Sequence, residues 1–392
     1  MWRSRSGAPF LRNSEKYYVS TSLFFFASGL YGIFINIFFF VTQNLESVIF
    51  YQTAFQASQT LFFVLGTYAM GFISAKYLYV AGNILRAATL ILLFFIPLLS
   101  ANAILFGLIF GISSGLFWGG NATFSLEISR STNRYTFLSI NSAISSMAAL
   151  LSPAIGGFLI SASSSGGLNR YALDFSLSSI LLILSSIASM FITQKGEIGG
   201  TFHIRETIIR EDGYRKFRLF FFFSSILSTV MSTLMPIYIY YVTKNYIITG
   251  IYGSLVAATG FISNILAPKY MARLRKEAIK ILIILIFWST LFLLKGQFVT
   301  EIVFIGSLLI LFFLTPISNL GMGEFMKYLD HFKKTRHFWI NREYYLVSGR
   351  ILSFFSILFL VDSMSIYASL SMMPLFSLSL LGLIPVLKKA DN

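Results

Sequence analysis

The sequence predicts an all-α membrane protein: twelve transmembrane helices in two bundles of six, with both termini cytoplasmic. Three observations predict it. Of 392 residues, 56% are hydrophobic and only 11% charged, against roughly 25% charged in a soluble chain. Polar residues are too few to coat a water-soluble globule. The apolar residues also gather in runs of about 20, the length that crosses a lipid hydrocarbon core. Finally, the 30 Lys and Arg, set against 15 Asp and Glu, are concentrated in alternate connections between those runs.

In chain order the runs span 17–41, 48–73, 80–100, 102–126, 137–161, 175–194, 217–243, 246–267, 278–295, 298–325, 344–361 and 363–387. Most are apolar all round, as lipid-embedded helices are. They are far longer than barrel strands and do not alternate. The first run is too long for the apolar part of a cleaved leader and lacks a small-residue cleavage site, so it is expected to stay as an anchor.

With the N-terminus inside, 27 of the 30 basic residues fall in or beside inner segments, and only Arg170, Lys244 and Lys295 fall outside. This is the asymmetry of the positive-inside rule. Removing one helix from the count would scramble it for the later half. The net charge of +15 therefore reports topology, and nucleic acid is not expected as a partner. The longest inner polar stretch, 195–216, is read as a central cytoplasmic loop between a bundle over 1–194 and a bundle over 217–392. Its segment 203–217 mixes Ile with charge, which suits either a helix on the membrane face or a solvated tether. Gly71-Phe72-Ile73-Ser74 and Gly260-Phe261-Ile262-Ser263 recur at the same topological point of each half and suggest related bundles.

Polar groups inside membrane helices need a partner or a wet cavity. Gln52, Gln56 and Gln59 share one helical face and read as a cavity stripe or as interhelical hydrogen bonds. Trp118 and Asn121 are neighbours on one side of the fourth run. Asn36 and Asn141 are further intramembrane amides, with Asn264 and Asn319 as counterparts in the second half. Ser225, Ser228 and Ser232 share a face of the seventh run, which suits close helix packing. The charges at or inside the rim are Arg86, Glu127, Arg134, Glu324 and Arg350. Arg350 lies about six residues, roughly 9 Å, into its helix. It needs an acid, for which Glu324 is the candidate. Glu127 is paired in the same way with Arg134 or Arg86. Static anchoring is the alternative reading of both pairs.

Soluble-enzyme chemistry has no foothold. There is no Cys, no Walker motif, no dinucleotide-type glycine turn and no metal-spaced cluster. No cofactor or catalytic residue is expected, and the protein is not read as an enzyme.

Twelve runs with a 6+6 split, a central inner loop and both termini inside resemble the major facilitator superfamily of secondary transporters. Gly71 and Lys76 keep part of that family's motif between helices two and three, with Ala75 where its acid stands and Leu78 where its second glycine stands. Pro153, Gly156 and Gly157 keep part of the helix-five motif of its exporters. Phe117-Trp118-Gly119-Gly120-Asn121, and Arg342-Glu343-Tyr344-Tyr345 with Gly349-Arg350, are similar to stretches of a poorly characterised prokaryotic branch. The resemblance implies secondary active or facilitative transport of a small solute by rocking of two bundles about a central site, with a lean toward export. It places Asn36, Trp118, Asn121 and Asn319 on cavity-lining helices and makes the rim ion pairs candidate gates. No acid lies near the middle of any run, so a coupling proton or ion would have to use Glu127 or Glu324. The same shortage favours a neutral or amphipathic solute. A multi-pass protein of the cell membrane is expected. A non-transporting sensor or scaffold on the same fold is the alternative.

Overall fold

A computed structural model describes residues 13–96, 101–130, 134–163, 167–193, 214–295, 300–329 and 336–361. The described chain is helical: α1 (Asn13–Thr42), α2 (Leu45–Ala69), α3 (Ala75–Phe95), α4 (Ala103–Arg130), α5 (Arg134–Ala162), a 3₁₀ turn (Gly167–Tyr171), α6 (Ala172–Met190), α7 (Arg215–Thr243), α8 (Tyr246–Lys295), α9 (Thr300–Leu329) and α10 (Arg336–Val361). Among the described residues, eight helical stretches are long and apolar enough to cross a membrane. The more polar α2 and α10 are not among them.

Local chemistry sets the boundaries. Asn44 accepts the Ser47 N–H at 2.8 Å and starts α2 two residues after α1 ends. Ser74 caps α3, which therefore begins five residues before the expected run. Lys244 adopts a left-handed φ of 50°, and Asn245 accepts the Ile247 N–H at 2.8 Å. One residue thus ends α7 and the next starts α8. α10 begins eight residues ahead of the expected run, because Arg336–Glu343 is helical but polar. The largest difference lies in α8. The connection expected between 267 and 278 is itself helical, so two expected runs fall within one 50-residue helix. Its Ala, Arg, Leu, Lys and Glu are strong helix formers, and nothing in a hydropathy count separates a polar helix from a polar loop. The twelfth run, at 363–387, lies outside the described residues, as does most of the central loop.

α1–α6 pack on one another chiefly through the α1–α5, α1–α6, α2–α4, α3–α4 and α3–α6 pairs; α7–α10 do so through α7–α10 and α8–α9. Small residues let helix backbones meet. Gly107, Gly111 and Gly115 recur every fourth residue of α4 and lie where a methyl group would collide with the α2 backbone. The two sets of helices touch along two main seams, α2–α10 and α5–α8. Chain alternation puts the connections at 42–45, 162–172 and 243–246 at one end of the molecule. The more basic connections, at 69–75 and 190–215, are at the other, and so is the start of α10, because Ile340 packs on Phe63 and Val64 near the C-terminal end of α2. These are called the short-loop end and the basic end.

Candidate functional site

α7, α9 and α10 enclose a cavity of about 380 Å³ toward the basic end. The α7 sequence builds one wall: Phe220 and Phe221 are buried, and Ser224, Ser225 and Ser228 follow on the next turns. α9 adds Thr315 and Ser318, and α10 adds Arg342, Leu346 and Arg350. Gly349 lets α10 approach α7, since any side chain there would collide with Ser225 and the Phe222 carbonyl. The α7 hydroxyls donate to their own helix, Ser225 to the Phe222 carbonyl at 2.8 Å and Ser228 to the Ser224 carbonyl at 2.9 Å. Their lone pairs are left for other donors.

The two arginines of the cavity are held differently. Arg342 pairs with Glu343 at 3.2 Å and lies over the rings of Trp339 and Phe221, 5.0 and 5.7 Å from their centroids. Its Nε is buried without a hydrogen-bond partner. Arg350 reaches across the α2–α10 seam and donates to Gln56 Oε1 at 2.7 Å. Below that contact, Ile340 packs on Phe63 and Val64.

The α5–α8 seam is built from backbone. Pro153 interrupts the α5 ladder, and the Ala154 N–H donates to Ser254 Oγ of α8 at 3.2 Å. Gly157 meets the Tyr246 carbonyl and Gly250 meets the Pro153 carbonyl so closely that neither has room for a Cβ. Beside them, buried Tyr171 and Tyr246 share a hydrogen bond at 3.0 Å, and Tyr240 donates to Tyr246 at 3.1 Å. Arg170 lies 5.6 Å from the Tyr246 ring centroid.

The stripe of glutamines meets three different helices. Gln52 donates to Asn36 of α1 at 2.6 Å, Gln56 accepts from Arg350 of α10, and Gln59 accepts from Ser114 of α4 at 3.1 Å. Asn121 accepts from Tyr17 at 2.8 Å and Asn141 from Thr21 at 2.9 Å. Trp118 is 36% exposed, with its ring edge-on to Phe24. Arg86 is buried, its guanidinium 5.2 to 5.5 Å from the ring centroids of Phe24, Phe117 and Phe110. The side chains of Glu127, Arg134, Asn319 and Glu324 lie outside the described residues, so their expected pairings have no geometry here. Gly71 lies in the turn after α2. Lys76 donates to the Met190 and Ile192 carbonyls at the C-terminal end of α6, where a cation complements the helix dipole. Gly156 faces α1 and α6, whereas Gly157 faces α8.

Two features escaped the sequence reading. Asp174 is fully buried in the first turn of α6, and neither carboxylate oxygen has a hydrogen-bond partner. The sixth run was begun at 175, which left this acid in a loop. Extending the run by one residue includes it. The tyrosine cluster at the short-loop end was also missed. Tyr240, near the end of its apolar run, is buried and bonded to a partner six residues away. Among the described residues, no group of three or more His, Asp or Glu is placed to hold a metal ion.

Residues 17–326 match the family model described as Major Facilitator Superfamily. A protein of Bacillus subtilis (strain 168), the uncharacterized protein YqgE, is 23% identical over 275 residues, 67% of this chain. The chain spans 62% of that relative's length. Three solved structures share the fold. A bacterial homologue of the iron transporter ferroportin, in an inward-facing state, has a TM-score of 0.72 at 14% identity, covering 96% of this chain and 100% of that one. The nucleoside transporter NupG has 0.67 at 13%, covering 97% and 100%. The xylose transporter XylE from E. coli, in a partially occluded inward open conformation, has 0.72 at 13%, covering 96% and 97%. At such identities the likeness is one of fold.

Proposed function

The chain belongs to the Major Facilitator Superfamily, and from that premise we propose that it carries a small amphipathic solute across the cell membrane by alternating access of two bundles. The observation that carries the reading is the cavity of α7, α9 and α10, whose Arg350 is bonded across a seam to Gln56. One side chain therefore belongs both to a solute-sized space and to a contact that rocking must break. Closure in this state falls at the short-loop end, where the hydrogen bond between Tyr171 and Tyr246 joins the two sets of helices. With the basic connections facing the cytoplasm, that is the outer end, and the cavity belongs to an inward-facing state. Twelve crossings and cytoplasmic termini are part of this proposal.

The decisive experiment is flux in proteoliposomes over a solute panel. Saturable, solute-specific uptake or counterflow is expected, and its absence for the whole panel would sink the transporter reading. Orientation is tested separately, because the chain has no native Cys. A cysteine at position 165 should react with an impermeant reagent in intact cells, and one at 206 should not. For a coupling proton or ion, buried Asp174 joins Glu127 and Glu324 as a candidate. Loss of driven flux in Asp174→Asn, with solute exchange retained, assigns it that role; unchanged driven flux removes it.

A further inference from the structure

The geometry points to the cavity of α7, α9 and α10 as a site for the oxyanion of a small amphipathic organic acid, with Arg350 and Arg342 as its ligands. This inference rests on the transport reading and names the substrate class that the reading leaves open.

Charge is the first support. Two guanidinium groups line the cavity, and no acid appears among its described lining residues. Glu343, beside them, is taken up by Arg342. Among the described residues one positive charge is left over, and the described acceptor of Arg350 is the neutral amide of Gln56. A cation withdrawn from water is costly until an anion or several acceptors meet it. Donor count is the second support. A guanidinium carries five N–H donors in a fork that fits a carboxylate or phosphate bidentately. Arg350 gives Gln56 a bond from Nη1 only, and the Nε–H of Arg342 is buried with nothing to accept it. Both sets of spare donors belong to residues of the same cavity.

Shape is the third support. Phe220, Phe221 and Leu346 give the cavity an apolar lining beside the serines. A volume of about 380 Å³ lies at the small end of ligand sites, which run from roughly 300 to 1,000 Å³. It suits a single-ring acid better than a molecule with two acyl chains. The position of Arg350 also gives the anion a consequence. An oxyanion that takes the guanidinium competes with Gln56, the hydrogen bond that ties α10 to α2. Binding would loosen the seam whose parting transport requires.

The test uses the purified full-length protein in detergent micelles and four probes of one shape: benzoate, phenyl phosphate, benzamide and benzylamine. Benzoate or phenyl phosphate should raise the unfolding temperature saturably, and benzamide and benzylamine should not. Arg350→Gln should weaken anion binding about tenfold or more, the size of one lost charge-assisted hydrogen bond, and Arg350→Lys should keep part of it. Equal stabilisation by benzamide, or anion binding untouched in Arg350→Gln, overturns the assignment. If Arg350→Gln does not fold, the same comparison is made with Arg342→Gln and by competition with chloride on the unaltered protein. A lipid headgroup offers the same oxyanion, so dioleoylphosphatidylglycerol is titrated into the micelles as a separate arm. An Arg350-dependent shift with the lipid alone, and none with either soluble acid, overturns the solute assignment. Flux separates this inference from the reading beneath it. Neutral solutes carried without any anion binding refute the acid site and leave transport standing; Arg350-dependent anion binding with no flux does the reverse.

Discussion

The α2–α10 and α5–α8 seams join the same two sets of helices by opposite means. α2–α10 is a side-chain seam, with a guanidinium on an amide and a small cluster of Phe63, Val64 and Ile340. α5–α8 is a backbone seam: Gly157 and Gly250 each sit against a carbonyl of the other helix, and a main-chain N–H beside Pro153 finds a serine. The lesson concerns what each can do. A seam of long polar side chains can part and leave its groups to water or to a solute. A seam of glycines holds only at one distance, because dispersion contact falls away within an ångström. The first is suited to exchanging partners, the second to acting as a pivot or a latch.

The largest expected effect breaks the backbone seam. Gly157→Val or Gly250→Val puts a branched side chain where even a methyl group collides with a carbonyl of the facing helix. Overpacking of that kind costs about 3 kcal/mol. The closed short-loop end should lose that much relative to the open one. Thermal unfolding should drop, and a cysteine at position 165 should be labelled faster. Unchanged labelling would mean that this contact is not what keeps the end closed.

A smaller effect tests the polar seam. Gln56→Met keeps bulk but removes the acceptor of Arg350, which costs about 2 kcal/mol for a hydrogen bond to a charged group. Gln56→Glu does the opposite. It turns the contact into an ion pair, so the resting state should be firmer and flux slower. If Gln56→Glu speeds flux, the α2–α10 contact does not have to break during the cycle.

The contrast between the seams also shows what the sequence made legible. Membrane helices were readable because apolar length is a one-dimensional property, and most observed helices overlie the expected runs. Polar helical segments were not. Arg336–Glu343 and the stretch around 269–280 are helical, but hydropathy reads them as connections. The importance of Gln56 and Arg350 was legible residue by residue, since each is costly in lipid. Their meeting, at positions 294 apart, was not, because a sequence prices a polar group without naming its partner. The glycines of α5 were noticed through a family motif, while Gly250 on the facing helix carried no such signal. Asp174 was lost to a boundary one residue wrong. In each case the missing information is which surfaces of two distant helices come together.

The smallest expected effect sharpens the comparison at the tyrosine cluster. Tyr171→Phe and Tyr240→Phe each remove one hydroxyl and one hydrogen bond to Tyr246, and each should cost about 1 kcal/mol. Their rings stay packed, Tyr171 against Phe38 and Phe175 and Tyr240 against Tyr246. The two bonds differ in what they span. Tyr171 lies between α5 and α6, so its bond crosses from the first set of helices to the second. Tyr240 is on α7 and Tyr246 begins α8, so theirs stays within the second set. Both variants should unfold at similarly lowered temperature, but only Tyr171→Phe should raise labelling at position 165. If the two raise it equally, the cluster acts by holding Tyr246 in place, and the latch at this end is the glycine seam alone.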